Sequence, residues 1–307
     1  MTTAFITHRD CWFHDMGAHH PECPERLSAI SDRLIAAGLD LYLDFHDAPL
    51  ASMEQIVRVH PGAHVRNMAE SAPESGIVHL DPDTAMSPGT WRAALRSAGA
   101  GVLATDLVVR GEVENAFCSV RPPGHHAERA KAMGFCFLNN IAIAAAHALE
   151  AHGLDRVAIA DFDVHHGNGT EDIFANDPRV LMVSTFQHPF YPYSGADDPA
   201  ANMVNVPLRA GTRSDGFRQA VSEAWLPALR AFAPQAIFIS AGFDAHYEDD
   251  MASLGLVESD YAWVTQQLKE IAIESAGGRI ISMLEGGYAL SALGRSVTAH
   301  IKALADL

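Results

Sequence analysis

Acid, acid and imidazole alternate in the segment Asp161-Phe162-Asp163-Val164-His165. Carboxylate and imidazole are both ligands of divalent first-row metals. At the end of a strand, alternate side chains share one face. Asp163 and His165 can then reach a single ion. Asp161 can hydrogen-bond a neighbouring histidine or lend its backbone oxygen to a second ion. Asp244, in Ala241-Gly242-Phe243-Asp244-Ala245-His246, can supply a third protein ligand. Two carboxylates and one imidazole leave a coordination position open, as a catalytic centre needs and a structural one does not. On its own, Asp-x-Asp-x-His equally describes a helix N-cap beside a surface histidine. The equivalent placement of Asp244 after another apolar run favours the metal.

His125 and His126 follow Pro122-Pro123-Gly124, a rigid approach ending in a residue that permits a sharp turn. Both rings can face one water molecule. One can accept its proton while the other stays charged. A carboxylate partner such as Asp161 raises a histidine's basicity, and an amide partner such as Asn168 raises it less. Without the other groups, a His-His pair reads as a solvated turn. Tyr288 follows Gly286-Gly287, and a flexible Gly-Gly lets its hydroxyl swing towards a developing oxyanion. Alone, Tyr288 reads as a half-buried tyrosine at a helix start.

The elements that must position these groups alternate along the chain. Strand-like apolar runs fall at Ala4–Thr7, Ala116–Val120, Arg156–Phe162, Val180–Phe186, Ala236–Ser240 and Arg279–Leu284. Helical patterns fall at Pro24–Ala37 (closed by Gly38), Met53–Val59, Pro88–Arg110 (Ser87 as cap, Pro88 at N1), Asn140–His152 (stopped by Gly153), Ser214–Phe232 (capped by Ser214 or Asp215) and Tyr261–Ala276. Continuous apolar strands between helices predict a parallel sheet covered on both faces. Ligands of such sheets sit beyond the carboxyl ends of the strands. Four of the runs are followed there by Arg121–His126, Asp163–Gly169, Ala241–His246 and Glu285–Tyr288.

Composition sets bounds. The chain has 307 residues, 48% of them hydrophobic, enough for one large core, and the expectation is a single domain over 1–307. Its net charge of −17 argues against nucleic-acid binding and would attract cationic substrates, although an acidic surface also serves solubility alone. Cys11, Cys23, Cys118 and Cys136 form no C-x-x-C pair, which suits a reducing cytoplasm. No export signal and no membrane span is read. The 17 histidines concentrate at the ends of apolar runs.

Arg121–Ala127 (RPPGHHA), Gly134–Asn140 (GFCFLNN), Asp161–Thr170 (DFDVHHGNGT), Ser240–His246 (SAGFDAH) and Leu284–Tyr288 (LEGGY), with His19–Leu27 (HHPECPERL) ahead of them, occur in the order of the histone deacetylase family. The chain resembles in particular the class II-like and bacterial amidohydrolase branch. The resemblance implies an α/β arginase/deacetylase fold, with a parallel eight-stranded sheet between helix layers. It implies zinc held by Asp163, His165 and Asp244, with ferrous iron as the alternative. It also implies His125 paired with Asp161, and His126 paired with Asn168 as the favoured general base. Tyr288 would polarise the acyl carbonyl. Phe135 and Tyr191 would line an acyl-lysine channel whose wall Gly134, Met251, Gly286 and Gly287 complete. Core packing is the plain alternative for Phe135 and Met251. A structural K+ or Na+ is implied at Asp161, Asp163, His165, Ser184 and Thr185, and a second near Phe174 and Val180.

The expected substrate is an acyl-lysine peptide or protein. An acetylated polyamine is the alternative, favoured by Glu74, Asp81, Asp83 and Glu248–Asp250 around the expected mouth but disfavoured by apolar Met251 at the rim. A two-manganese ureohydrolase would want acids where Gly167 and Asn168 stand. A non-catalytic acyl-lysine reader would not need the full set of histidines and Tyr288. Homo-oligomer formation is left open.

Overall fold

The structure, a computed structural model, describes residues 2–307. Its main sheet is built from β1 Thr3–Thr7, β2 Leu43–Asp47, β3 Asn115–Cys118, β4 Val157–Asp161, β5 Val180–Gln187, β6 Met203–Leu208, β7 Ile237–Ala241 and β8 Ile280–Leu284. The spatial order is β2-β1-β3-β8-β7-β4-β5-β6, and every pairing is parallel. The sheet thus has the eight parallel strands that the resemblance implied.

The central strands are buried along their whole length, as continuous apolar runs should be when helices cover both faces. The edge strands β2 and β6 carry mixed, partly exposed residues and escape the sequence reading. Among the flanking helices, Thr90–Val109 packs on Asn140–Glu150, and Leu290–Ala305 packs on Glu258–Ser275 and on Glu25–Ala36. Gly101 permits the first of these contacts, because a Cβ there would meet Ala144 and Met283. None of the helices of the described residues is long and apolar enough to cross a membrane.

Several boundaries shift. The long helix begins at Thr90, not Pro88, and Gly89 rather than Ser87 is its N-cap. The Ser87 hydroxyl instead accepts from the Asp15 N–H at 3.1 Å. The expected helix Ser214–Phe232 is continuous in space, but its N-cap is Arg213 and it widens to a π-turn over Val221–Trp225, just ahead of Pro227. Proline lacks an N–H and crowds the carbonyl four residues back, so the turn opens there. Met53–Val59 is only a short helix, Met53–Ile56, and a second one, Gly62–Ser71, follows it.

Candidate metal centre and channel

β3, β8, β7 and β4 are consecutive neighbours in the middle of the sheet. Their carboxyl ends therefore bring Arg121–His126, Glu285–Tyr288, Asp244 and Asp163–His165 to one place, although the sequence separates them widely. β4 stops at Asp161, one correction to the expected strand. Asp163 and His165 lie on the bend beyond it. Strand alternation is replaced by a ladder of short-range bonds, in which the Asp163 N–H donates to Asp161 Oδ1 (3.1 Å) and the His165 N–H to Asp163 Oδ1 (2.9 Å). Carboxylates that accept from the N–H two residues on stabilise such bends.

Asp163, His165 and Asp244 each offer a donor atom, and these atoms lie within 4.8 Å of one another. His165 Nδ1 is 3.0 Å from Asp163 Oδ1 and 3.3 Å from Asp244 Oδ2. Asp163 Oδ2 accepts from the Gly286 N–H (2.9 Å) and Asp244 Oδ1 from the Val164 N–H (3.0 Å). Asp244 Oδ2 is buried and makes no hydrogen bond. Burial and the neighbouring Asp163 charge push the Asp244 pKa up. Burial lowers the His165 pKa, but the two carboxylates outweigh it and hold it above its ordinary value. Two buried carboxylates facing one imidazole nitrogen call for a cation, and this donor set fits a divalent metal.

A second His/Asp group, Asp106, His147 and His152, is unsuited to a metal. The Arg58 guanidinium donates to His147 Nδ1 at 2.6 Å, so Nε2 carries the proton donated to Asp106 at 3.0 Å and has no free lone pair.

The histidine pair lies above the ligands with different partners. His125 Nδ1 is 2.9 Å from Asp161 Oδ2, and His126 Nδ1 is 2.8 Å from Asn168 Oδ1. The Asn168 amide donates to Glu128 Oε1 (2.9 Å), which turns its oxygen to His126 and leaves His126 Nε2 as the acceptor. Burial lowers the His125 pKa, but Asp161 and Asp163 outweigh it and hold it well above the usual range. Burial, followed by the charges of His125 and His165, holds His126 well below it.

Above these groups is a cavity of about 280 Å³ lined by Asp83, Pro123, His125, His126, Gly134, Phe135, His165, Phe190, Tyr191, Met251, Gly286 and Tyr288. The Phe135 and Tyr288 rings meet edge to face at 6.0 Å, and Tyr191 meets His126 at 5.3 Å. Gly287 is not on the wall. It forms a turn with φ +122°, and its carbonyl accepts from Arg26 Nε at 2.7 Å. Two wall residues are additional to those expected: Phe190, which adjoins Tyr191 and stacks on His165 at 5.6 Å, and Pro123, two residues ahead of His125. Glu248 is tied to Arg295 at 2.7 Å, and Asp249 accepts from the Tyr288 and Ala289 N–H groups. Of the acids expected at the mouth, Asp83 alone lines the cavity.

Behind the site is a charged cluster that the sequence reading also left without a role. Glu22, Arg26, Arg121 and His14 are fully buried. Arg26 donates to the Glu285 and Gly287 carbonyls and lies over the Tyr288 ring at 5.0 Å. The Glu285 carboxylate accepts from the Gly124 and His125 N–H groups at 2.7 and 3.1 Å, so it anchors the loop that carries both histidines. Ser184 Oγ, in the first expected monovalent-cation site, is buried without a partner, as an ion ligand would be. At the second expected site, near Phe174 and Val180, the Asn202 side-chain amide donates to both carbonyls at 2.9 Å.

Residues 20–304 match the family described as the histone deacetylase domain. The histone deacetylase-like amidohydrolase of Pseudomonas aeruginosa is 38% identical over 93% of this chain and 81% of its own length. A probable deacetylase of Archaeoglobus fulgidus is 37% identical over 94% of this chain and 82% of its own. Human polyamine deacetylase HDAC10 is 36% identical over 99% of this chain and 48% of its own. The crystal structure of the HDA15 HD domain superposes with a TM-score of 0.94 at 35% identity, covering 99% of this chain and 88% of that one. The sheet is that of the arginase/deacetylase fold, and the chain belongs to the histone deacetylase family.

Proposed function

We propose that the chain, as one deacetylase domain, hydrolyses the N-acetyl amide of a lysine side chain with a divalent metal, zinc or alternatively ferrous iron. The observation that carries this reading is the convergence of two carboxylates and one imidazole beneath two histidines whose partners differ in charge. Asp163, His165 and Asp244 would hold the ion. Bound there, it supplies Lewis acidity to an acyl carbonyl and lowers the pKa of water to about 7. His126 Nε2, neutral and unpaired, takes the proton of the attacking water. His125, kept charged by Asp161, sets a positive charge beside the developing oxyanion. Burial and the nearby Asp244 hold the Tyr288 pKa well above its usual value, so its hydroxyl stays a donor to that oxygen. As the C–N bond breaks, a histidine proton passes to the leaving amine, and the products are amine and acetate. Gly134, Phe135, Tyr191 and Met251 would hold the alkyl chain of the lysine.

K+ or Na+ at Asp161, Asp163, His165, Ser184 and Thr185 belongs to the same reading, supported by the unpaired Ser184 hydroxyl. So does a cytoplasmic location, supported by four free cysteines.

The test is hydrolysis of an acetyl-lysine peptide with measured metal content. Tyr288→Phe is expected to lower kcat about 100- to 1,000-fold, the effect of losing one oxyanion donor. Full activity in that variant would refute the role of Tyr288. Acetylated polyamines are the second reading, favoured by Asp83 on the channel wall. On that reading, Asp83→Asn lowers kcat/KM for acetylputrescine about fivefold, a loss of ~1 kcal/mol, and spares the acetyl-lysine peptide. Equal effects on both substrates would dismiss the second reading.

A further inference from the structure

The helix Asn168–Phe174 ends in a loop that turns into β5 at Val180. Three backbone carbonyls of this loop converge on one atom. Asn202 Nδ2, from the residue before β6, lies 2.9 Å from Phe174 O, 3.1 Å from Asp177 O and 2.9 Å from Val180 O. A carboxamide has two N–H hydrogens, so three acceptors share them. The orientation of the amide is set from its other end, where Asn202 Oδ1 accepts from the Asn176 N–H at 3.1 Å. Reversing the group would point its oxygen at three carbonyl oxygens and its NH2 at an N–H.

Converging carbonyls are the usual recognition element for an alkali cation, because each turns the negative end of a dipole to the centre. Here the centre is held by the positive end of an amide belonging to the chain. We propose that the Asn202 carboxamide is a built-in substitute for a monovalent cation, so that native protein binds no K+ or Na+ at the Phe174–Val180 loop. The amide joins this loop to the start of β6, where Asn202 O also accepts from the Met182 N–H at 3.0 Å. Truncating it removes the positive end and leaves three converging carbonyls around a space of side-chain size, with Phe174 O and Asp177 O each still accepting one N–H, from Asp177 at 2.9 Å and Val180 at 3.1 Å, and each keeping a lone pair for an ion. That is the description of a cation site. This inference does not depend on the deacetylase reading.

The experiment uses thallous ion as a K+ probe, in crystals of the native chain and of Asn202→Ala. No anomalous density is expected among the three carbonyls of native protein, and density is expected there in the variant. Asn202→Asp is the second variant. It keeps the size, cannot donate, and adds a negative charge that a cation must balance. Melting midpoints are then compared in KCl and in choline chloride at equal ionic strength. The KCl-specific rise should be roughly twofold larger in either variant than in native protein, because each has gained a site. Density among the carbonyls of native crystals, with the carboxamide turned aside, would overturn the proposal. So would a lack of both density and extra K+ response in the variants, since the cage would then have no affinity for cations.

Discussion

Asp244→Asn is expected to fold normally and to lose more than about a thousandfold in deacetylation, as removal of several kcal/mol of metal-derived stabilisation requires. The substitution is nearly isosteric. The asparagine carbonyl can keep the 3.0 Å bond that Asp244 Oδ1 accepts from the Val164 N–H, so the backbone at the site has no reason to move. The change falls on the other oxygen. Oδ2, which is buried and unbonded, becomes an NH2 that donates and cannot ligate. It would face His165 Nδ1, from which Oδ2 is 3.3 Å away. Metal content and activity should fall together while the melting curve stays close to that of the native chain. Native protein stripped with a chelator should recover with added zinc or ferrous iron, and the variant should not. A fully active variant would remove Asp244 from the ligand set and leave too few protein donors for the proposed centre.

Glu22→Gln should produce the largest loss of stability, about 3–5 kcal/mol, because it leaves buried charge uncompensated. Glu22 accepts from Arg26 Nη1 at 3.0 Å and from Arg121 Nε and Nη2 at 2.5 and 2.7 Å, and all three side chains are fully buried. A neutral amide would leave two guanidinium charges in the interior without a counter-charge. Burial raises the Glu22 pKa, but the Arg121 charge and His14, whose Nε2 is 3.2 Å from Glu22 Oε2, outweigh it and hold the carboxyl well below its ordinary 4.5. A depressed carboxyl pKa contributes stability above the unfolded value and loses it as pH falls through the folded one. Native protein should therefore weaken on acidification below 4.5, and Glu22→Gln should lack this part of the acid limb. Urea unfolding at about pH 7 and at about pH 4 measures both effects. Because Arg26 also holds the Glu285 and Gly287 carbonyls, activity should fall as well. An unchanged midpoint would mean that the cluster contributes no net stability.

Much of the site was legible for a physical reason. Strands covered on both faces read as uninterrupted apolar runs, so the places where polar and glycine residues begin mark their carboxyl ends. Asp163, His165, Asp244, the His125–His126 pair and Tyr288 could be picked out on that pattern, and the geometry brings them together. The order of the strands could not be read, since neighbours such as β3 and β8 are set by packing across more than half the chain. The edge strands were illegible because Leu43–Asp47 and Met203–Leu208 each face solvent in part. The Glu22–Arg121 pair spans 99 residues, and no local spacing announces it. Asn202 is likewise an ordinary polar residue until the loop of Phe174, Asp177 and Val180 closes around it.

The ladder through Asp161, Asp163 and His165 has a kinetic consequence. Main-chain amides clasp the carboxylates of Asp163 and Asp244, two of the proposed ligands, so the protein without its ion should keep the shape that an arriving ion needs. Uptake then resembles docking into a finished socket rather than folding around a template. Demetallated enzyme should revive as fast as metal can diffuse in and shed its hydration water.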